Sequence, residues 1–337
     1  MKRMPPIAAA IATVIAAAGL AAAPTAQAEP QHPSPTVHPA ATTTAEQRKV
    51  DDYWTADRMK SAEQRTVRPA ADWKPSKVET GAPTVQHGQP STAGNGSTKG
   101  KGKKPKDGDA YLGGPWTGGG AVVKTTGKVF FTLGGTDYVC SGSAIESDNK
   151  NTVSTAGHCV NEGPGEYATN FVFVPAYDDG AAPYGKWKAT GLSTSEQWRT
   201  EGDFNYDIGF AVVDQVDGKN LTDVVGSQSV GFNLPRGEFL YSFGYPQARP
   251  YDGTTLDYCS ATAGADALGG SEDQRLDCNM TGGSSGGPWF DDFDESAGTG
   301  VQVSVNSFGY TSDHNAMYGP YFGSVIEDVY SSAQTVA

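Results

Sequence analysis

From Val122 onward the chain alternates short apolar runs with turn-forming residues. Val129-Phe130-Phe131, Phe171-Val172-Phe173-Val174, Phe210-Ala211-Val212-Val213 and Phe239-Leu240-Tyr241-Ser242-Phe243 are four such runs. In a fifth, Val301 to Phe308, the residues Val301, Val303 and Val305 fall on one side of a period-two pattern. Runs of this length, bounded by Gly, Asp and Asn, predict the strands of an all-β sandwich or barrel. Helix and strand patterns do not alternate here, so a parallel α/β sheet is not expected. Near the end, Val325, Ile326 and Val329 share one helical face and predict a short C-terminal helix over residues 325–330.

The front of the chain reads differently. Lys2 and Arg3 precede an apolar run from Ile7 to Ala23, and Ala26-Gln27-Ala28 follows. A charged start, a short apolar core and a small-x-small site predict a cleaved secretory signal peptide over residues 1–28, hence a secreted, extracellular protein. Residues 29–110 are rich in Pro, Thr, Gln and Lys, show almost no apolar period, and end in the Gly/Lys-rich tract Thr98–Gly108. Such a segment buries too little apolar surface to offset its ordering entropy, so it is expected to be mostly disordered. Only Val50 to Arg65, with Tyr53, Trp54 and Met59, suggests local helix. A pro-segment and a plain linker both fit this stretch. Residues 111–337 then form the folded domain.

Charge divides along the same boundary. Residues 1–110 carry 15 basic and 10 acidic side chains, net +5, and residues 111–337 carry 10 and 28, net −18. So acidic a surface disfavours nucleic acid and anionic membrane as partners. It leaves open a basic front segment docking on an acidic domain. We expect a monomer.

All four cysteines, Cys140, Cys159, Cys259 and Cys278, lie in the folded part. An even count in an exported chain predicts disulfides, and four cysteines allow three pairings. His158 and Cys159 are adjacent, which is poor spacing for zinc, so neither a metal nor a cofactor is expected. The acidic cluster Asp291, Asp292, Asp294 and Glu295 has the oxygens a Ca²⁺ site wants, but reads better as a solvated loop.

Two short strings carry chemistry. Thr155-Ala156-Gly157-His158-Cys159 puts a histidine just after an apolar run. Gly283-Ser284-Ser285-Gly286-Gly287-Pro288 puts serine in a turn whose backbone amides can converge. Between them, Tyr206-Asp207-Ile208 opens another apolar run. A base, an acid to orient it and a hydroxyl nucleophile are the parts of an acyl-transfer hydrolase. The residues alone leave Ser284 beside Ser285, and Asp203 and Asp214 beside Asp207.

These three strings, in this order, resemble the signatures of the chymotrypsin-like serine endopeptidases, in the style of secreted bacterial members such as streptogrisins and glutamyl endopeptidases. The resemblance spans about residues 115–330. It implies two packed six-stranded antiparallel β-barrels, residues 120–215 and 225–320, with the site in the cleft between them. It implies His158, Asp207 and Ser285 as the catalytic triad, with the amides of Gly283 and Ser285 as the oxyanion hole. It supports the bridge Cys140–Cys159, leaving Cys259–Cys278 as the second. Ser307-Phe308-Gly309 resembles the strand along which a peptide substrate pairs, and Asn279 stands where trypsin-type enzymes carry the aspartate that binds basic side chains. Glutamyl endopeptidases place a histidine where this chain has Asn306. The implied activity is a secreted endopeptidase acting on proteins or peptides through an acyl-enzyme, made as a zymogen whose own pro-segment is a partner.

Overall fold

The computed structural model describes residues 1, 36–70, 72–92 and 110–336. The signal-peptide run and the Gly/Lys-rich tract therefore lie outside the described residues. The described residues from 36 onward belong to one compact unit.

The first half closes on itself. Six strands, β1 (Thr126–Leu133), β2 (Thr136–Ala144), β3 (Thr152–Thr155), β4 (Thr169–Pro175), β5 (Trp187–Thr194) and β6 (Gly209–Val213), pair antiparallel in the ring β1-β2-β3-β6-β5-β4. The ring shuts through β4 and β1, with Val129 opposite Phe173. Val129, Phe131, Phe173, Trp187, Leu192 and Phe210 fill the interior and are fully buried. Closure removes free strand edges and leaves side chains to fill the lumen.

The second half is more open than a simple six-stranded ring. Its strands are β7 (Ser229–Phe232), β8 (Phe239–Gly244), β9 (Asp257–Thr262), β10 (Gln274–Asp277), β11 (Pro288–Asp294), β12 (Thr299–Val305) and β13 (Ala316–Gly319). One sheet runs β7-β12-β11-β8-β9, with residues 84–86 added at the β7 edge and Tyr111–Pro115 at the β9 edge. A smaller sheet pairs Gly264–Ala265, β10 and β13. Both edge additions come from chain ahead of the first barrel, which is why a count made barrel by barrel misses them. The predicted alternation in β12 buries Val303 and Val305, but Gln302 and Ser304 on the other face are buried too. Gln302 is accommodated because it accepts from Ser154 Oγ at 2.9 Å. The C-terminal helix runs Ser324–Gln334, longer than its apolar face suggests, and buries Val325, Ile326, Val329, Tyr330 and Ala333.

Both disulfides form as the resemblance implies, Cys140–Cys159 and Cys259–Cys278.

The front segment holds more structure than its composition suggests. Residues 36–92 form a belt laid around both halves. His38–Pro39 pairs with β5, residues 63–64 with β2, and residues 84–86 with β7. Between them lie helices Thr44–Tyr53 and Ala56–Ser61, the first opened by a Thr43/Glu46 capping box. The belt's order comes from docking. Val50, Trp54, Met59 and Ala62 are buried against Phe130, Val139, Val172 and Val174 of the first barrel. Two ion pairs join belt and domain, Arg58–Asp137 (2.7 Å) with the base on the belt and Lys186–Asp51 (2.9 Å) with the base on the domain.

Candidate active site

Strand register brings the histidine and the aspartate together. Thr155 pairs with Gly209 across β3 and β6, so the residues just past β3 and just before β6 share one rim. His158 lies in a single helical turn, Gly157–Val160, and Asp207 follows the tight turn Phe204–Tyr206. The His158 Nδ1 stands 2.8 Å from Asp207 Oδ2, and the His158 amide donates to Oδ1 at 2.7 Å. Both side chains are fully buried. A side chain at position 157 would crowd this pair, since a Cβ there would lie 2.9 Å from Asp207 Oδ1 and 3.0 Å from Trp198. The carboxylate, an acceptor facing the ring, fixes the proton of the imidazole on Nδ1. That leaves Nε2 as an acceptor, and it has no hydrogen-bond partner among the described residues.

Asp207 receives a third hydrogen bond from Ser307 Oγ, at 2.5 Å. Ser307 belongs to the second half, so this bond joins the two barrels at the carboxylate. Asp203 sits elsewhere. It caps the 204–206 turn through Asn205 and accepts from the amide and hydroxyl of belt residue Ser76.

Ser285 lies in the turn before β11 and lines a cleft between that turn and Ser307–Tyr310; it makes no hydrogen bond to His158 Nε2. Its carbonyl accepts from the Ser141 amide of β2 at 2.7 Å, tying the turn to the first barrel. Gly283 has φ +97°, and a Cβ on Gly286 would sit 2.1 Å from Thr155 Oγ1. The turn is thus wedged between the barrels in a conformation that excludes side chains at these positions. The amides of Gly283 and Ser285 donate to nothing among the described residues. Ser284 turns away, its hydroxyl bonded to Thr281 O at 2.8 Å.

The cleft, of about 490 Å³, is lined by Ser285, Asn279–Gly282 and Ser307–Tyr310. Phe308 is buried against Phe204 and Tyr318. The Ser307 carbonyl and the polar groups of Gly309 are unused among the described residues, as an added strand would require. Asn279 accepts from Tyr251 at 2.5 Å, while its amide donates to Leu112 of the added 111–115 strand. Asn306 lies inside the core and does not line the cleft.

Sequence reasoning gave no hint of what else lines it. Belt residues 64–68 run through the cleft. A Cβ on Gly282 would lie 2.7 Å from Thr66 Oγ1 and 2.8 Å from Gln64 Oε1, so the belt rests directly on the serine loop. Val67 packs beside Trp198 and Phe308. Burial pushes the Arg65 guanidinium below its ordinary pKa, against the pull of Tyr138, Glu162 and Asp207, and its Nε has no hydrogen-bond partner.

Cys140, His158 and Cys159 cluster closely enough to hold an ion. The two sulfurs are bonded to each other, which removes both thiolate ligands and leaves one imidazole. Asp291, Asp292 and Asp294 lie in strand β11 rather than in a loop; Asp294 Oδ1 accepts from Ser296 and Ala297, and Tyr241 donates to Glu295 at 2.6 Å.

Residues 140–297 match the family model of the trypsin-like peptidase domain. The protease Anisep from Arthrobacter nicotinovorans is 55% identical in sequence, with a TM-score of 0.61 over 63% of this chain and 96% of that one. The thermostable serine protease AL20 from an extremophilic microorganism is 45% identical, with a TM-score of 0.61 over 64% of this chain and 100% of that one. Both are matched almost end to end while about a third of this chain stays outside the match. A curated extracellular metalloprotease of Bacillus subtilis (strain 168) is 29% identical over 109 residues, 32% of this chain; the chain spans about a third of that protein's length.

Proposed function

The chain belongs to the trypsin-like serine peptidases and is a serine endopeptidase, and from that premise we propose that it is secreted as a latent precursor working through His158, Asp207 and Ser285. In this reading His158 Nε2 takes the proton of Ser285 as its oxygen attacks the scissile carbonyl, then returns it to the leaving amine. Asp207 stabilises the imidazolium so formed, and the Gly283 and Ser285 amides hold the oxyanion. Water repeats the sequence to release the acyl group. Substrate backbone pairs along Ser307–Gly309, and Asn279, uncharged and already bonded to Tyr251, does not favour Lys or Arg side chains. The observation that carries the reading is the Asp207 carboxylate, which holds His158 by two bonds and Ser307 by a third.

The belt supplies the latency. Residues 64–68 line the cleft that substrate must enter and narrow its approach to Ser285, so residues 29–110 act as a pro-segment and the mature chain begins between Lys99 and Gly118. The added strand Tyr111–Pro115 stays with the enzyme if the cut falls before it. The partners are protein or peptide substrates and the pro-segment itself, and the site of action is extracellular.

A serine-directed fluorophosphonate, applied to the secreted product whose N-terminus has been sequenced, tests both parts. Label on Ser285 of a chain starting at 99–118, with slower labelling of the uncut precursor, is expected. Label on Ser284, or full activity with residues 29–97 retained, would overturn it.

A further inference from the structure

The direction in which the Gly283 and Ser285 amides face is set by the carbonyls on the far side of the same peptide planes. A trans peptide points its N–H and C=O oppositely. Gly282 O, in plane with the Gly283 N–H, accepts from the Gln247 amide at 2.8 Å. Ser284 O, in plane with the Ser285 N–H, accepts from the Gly287 amide at 2.9 Å and from the Asn306 side chain at 3.1 Å.

Asn306 is built for this. Its side chain is fully buried, and its Oδ1 accepts from Ser242 Oγ and from Trp289 Nε1, each at 2.7 Å. An indole N–H only donates, so the oxygen of the amide must face it and Nδ2 must face the other way. Nδ2 then donates to Phe243 O and to Ser284 O, each at 3.1 Å. All four hydrogen-bonding positions of the amide are filled. The main chain of the same residue grips the turn twice more, through Gly287 O (2.9 Å) and the Gly286 amide (2.7 Å).

We propose that Asn306 is a positioning residue for the oxyanion hole, holding the Ser284–Ser285 peptide so that the Ser285 amide faces the developing charge. The assignment rests on the reading of the Gly283–Ser285 turn given above. Asn306 touches no substrate; it acts through one carbonyl. An amide aimed in advance needs no reorganisation when the charge forms, so its loss falls on the transition state and not on substrate binding.

The test uses secreted, processed enzyme, wild type and two variants, Asn306→Leu and Ser242→Ala. The readouts are kcat, KM and the inhibition constant of a peptide aldehyde, whose hemiacetal oxygen occupies the same hole. For Asn306→Leu, kcat should fall about 10- to 100-fold, short of the roughly 10²–10³ for losing a donor outright. KM should stay within about twofold, and the aldehyde should weaken by the same factor as kcat. Ser242→Ala removes one of the two donors that orient the amide, and should move kcat and aldehyde binding together by about two- to fivefold. A folded Asn306→Leu enzyme with unchanged kcat and aldehyde affinity, or with its loss in KM, overturns the proposal. If that variant is not secreted folded, unchanged values in Ser242→Ala overturn it. Failure of the wild type to label at Ser285 would instead sink the proposed function.

Discussion

Trp54 is the largest anchor of the belt, and its removal should open the precursor. The side chain is 1% exposed, its ring lies 5.5 Å from that of Phe130, and its Nε1 donates to Asn170 O at 2.5 Å. Truncating a buried Trp to Ala costs about 3–5 kcal/mol. The helices it anchors lead within a few residues into the cleft segment 64–68, so the loss bears on how often that segment lifts away. At 1.4 kcal/mol per tenfold, about 3 kcal/mol raises the open fraction roughly 150-fold. When opening and closing outpace the chemistry, the rate of Ser285 labelling tracks that fraction. Intact precursor is therefore labelled with a fluorophosphonate at early times, and the label is counted by mass only on uncut chains. Trp54→Ala precursor should label about 100-fold faster than wild type, up to the rate of mature enzyme. The reasoning fails if residues 44–61 become protease-sensitive in the variant while labelling stays at the wild-type rate.

Three further outcomes follow from the geometry. Burial, with Asp252 adding to it, pushes the Asp257 carboxyl up to about 7 from an ordinary 3.8. Between those values the native state holds a proton that the unfolded chain has lost, so stability should fall as pH rises from about 4 to 7; Asp257→Asn should flatten that slope of Tm against pH, and an unchanged slope would refute it. Gly286→Ala places a methyl 2.1 Å from Thr155 Oγ1 and 2.5 Å from Ser141 O at φ +79°, so it should abolish casein hydrolysis; near-normal turnover would show the turn to be far more plastic than described. Replacing Cys140 and Cys159 by Ser opens a loop of 19 residues and should lower stability by about 3 kcal/mol in urea titration, with less than about 1 kcal/mol counting against it.

The sequence was most legible where function is written in contiguous strings. TAGHC, YDIGF and GSSGGP each fix a local turn, and the register of β3 against β6 does the rest for His158 and Asp207. The apolar runs at 129–131, 171–174, 210–213 and 239–243 all fall inside strands, because each is buried against a barrel core. The supports of the site were not legible. Ser141, Gln247 and Asn306 act through hydrogen bonds to a loop outside their own stretch of chain, and no residue pattern around them marks that role. Nor was the belt. Its strands are two or three residues long, below any period, and its stability is borrowed from the barrels it covers. The stretch Val50 to Arg65, with Tyr53, Trp54 and Met59, was the readable sign of order there, and it falls partly on the helices Thr44–Tyr53 and Ala56–Ser61.

The belt touches the enzyme at many points, yet it is joined to it covalently only through residues 93–109. Cutting that tether breaks none of the contacts at the cleft. What it changes is the concentration the cleft experiences, from the fixed millimolar scale of a tethered segment to that of free peptide in the surroundings. On the proposed reading, activation would then be governed by dilution as well as by proteolysis: the severed belt would stay in place where it is concentrated above its dissociation constant and leave where it is diluted below it.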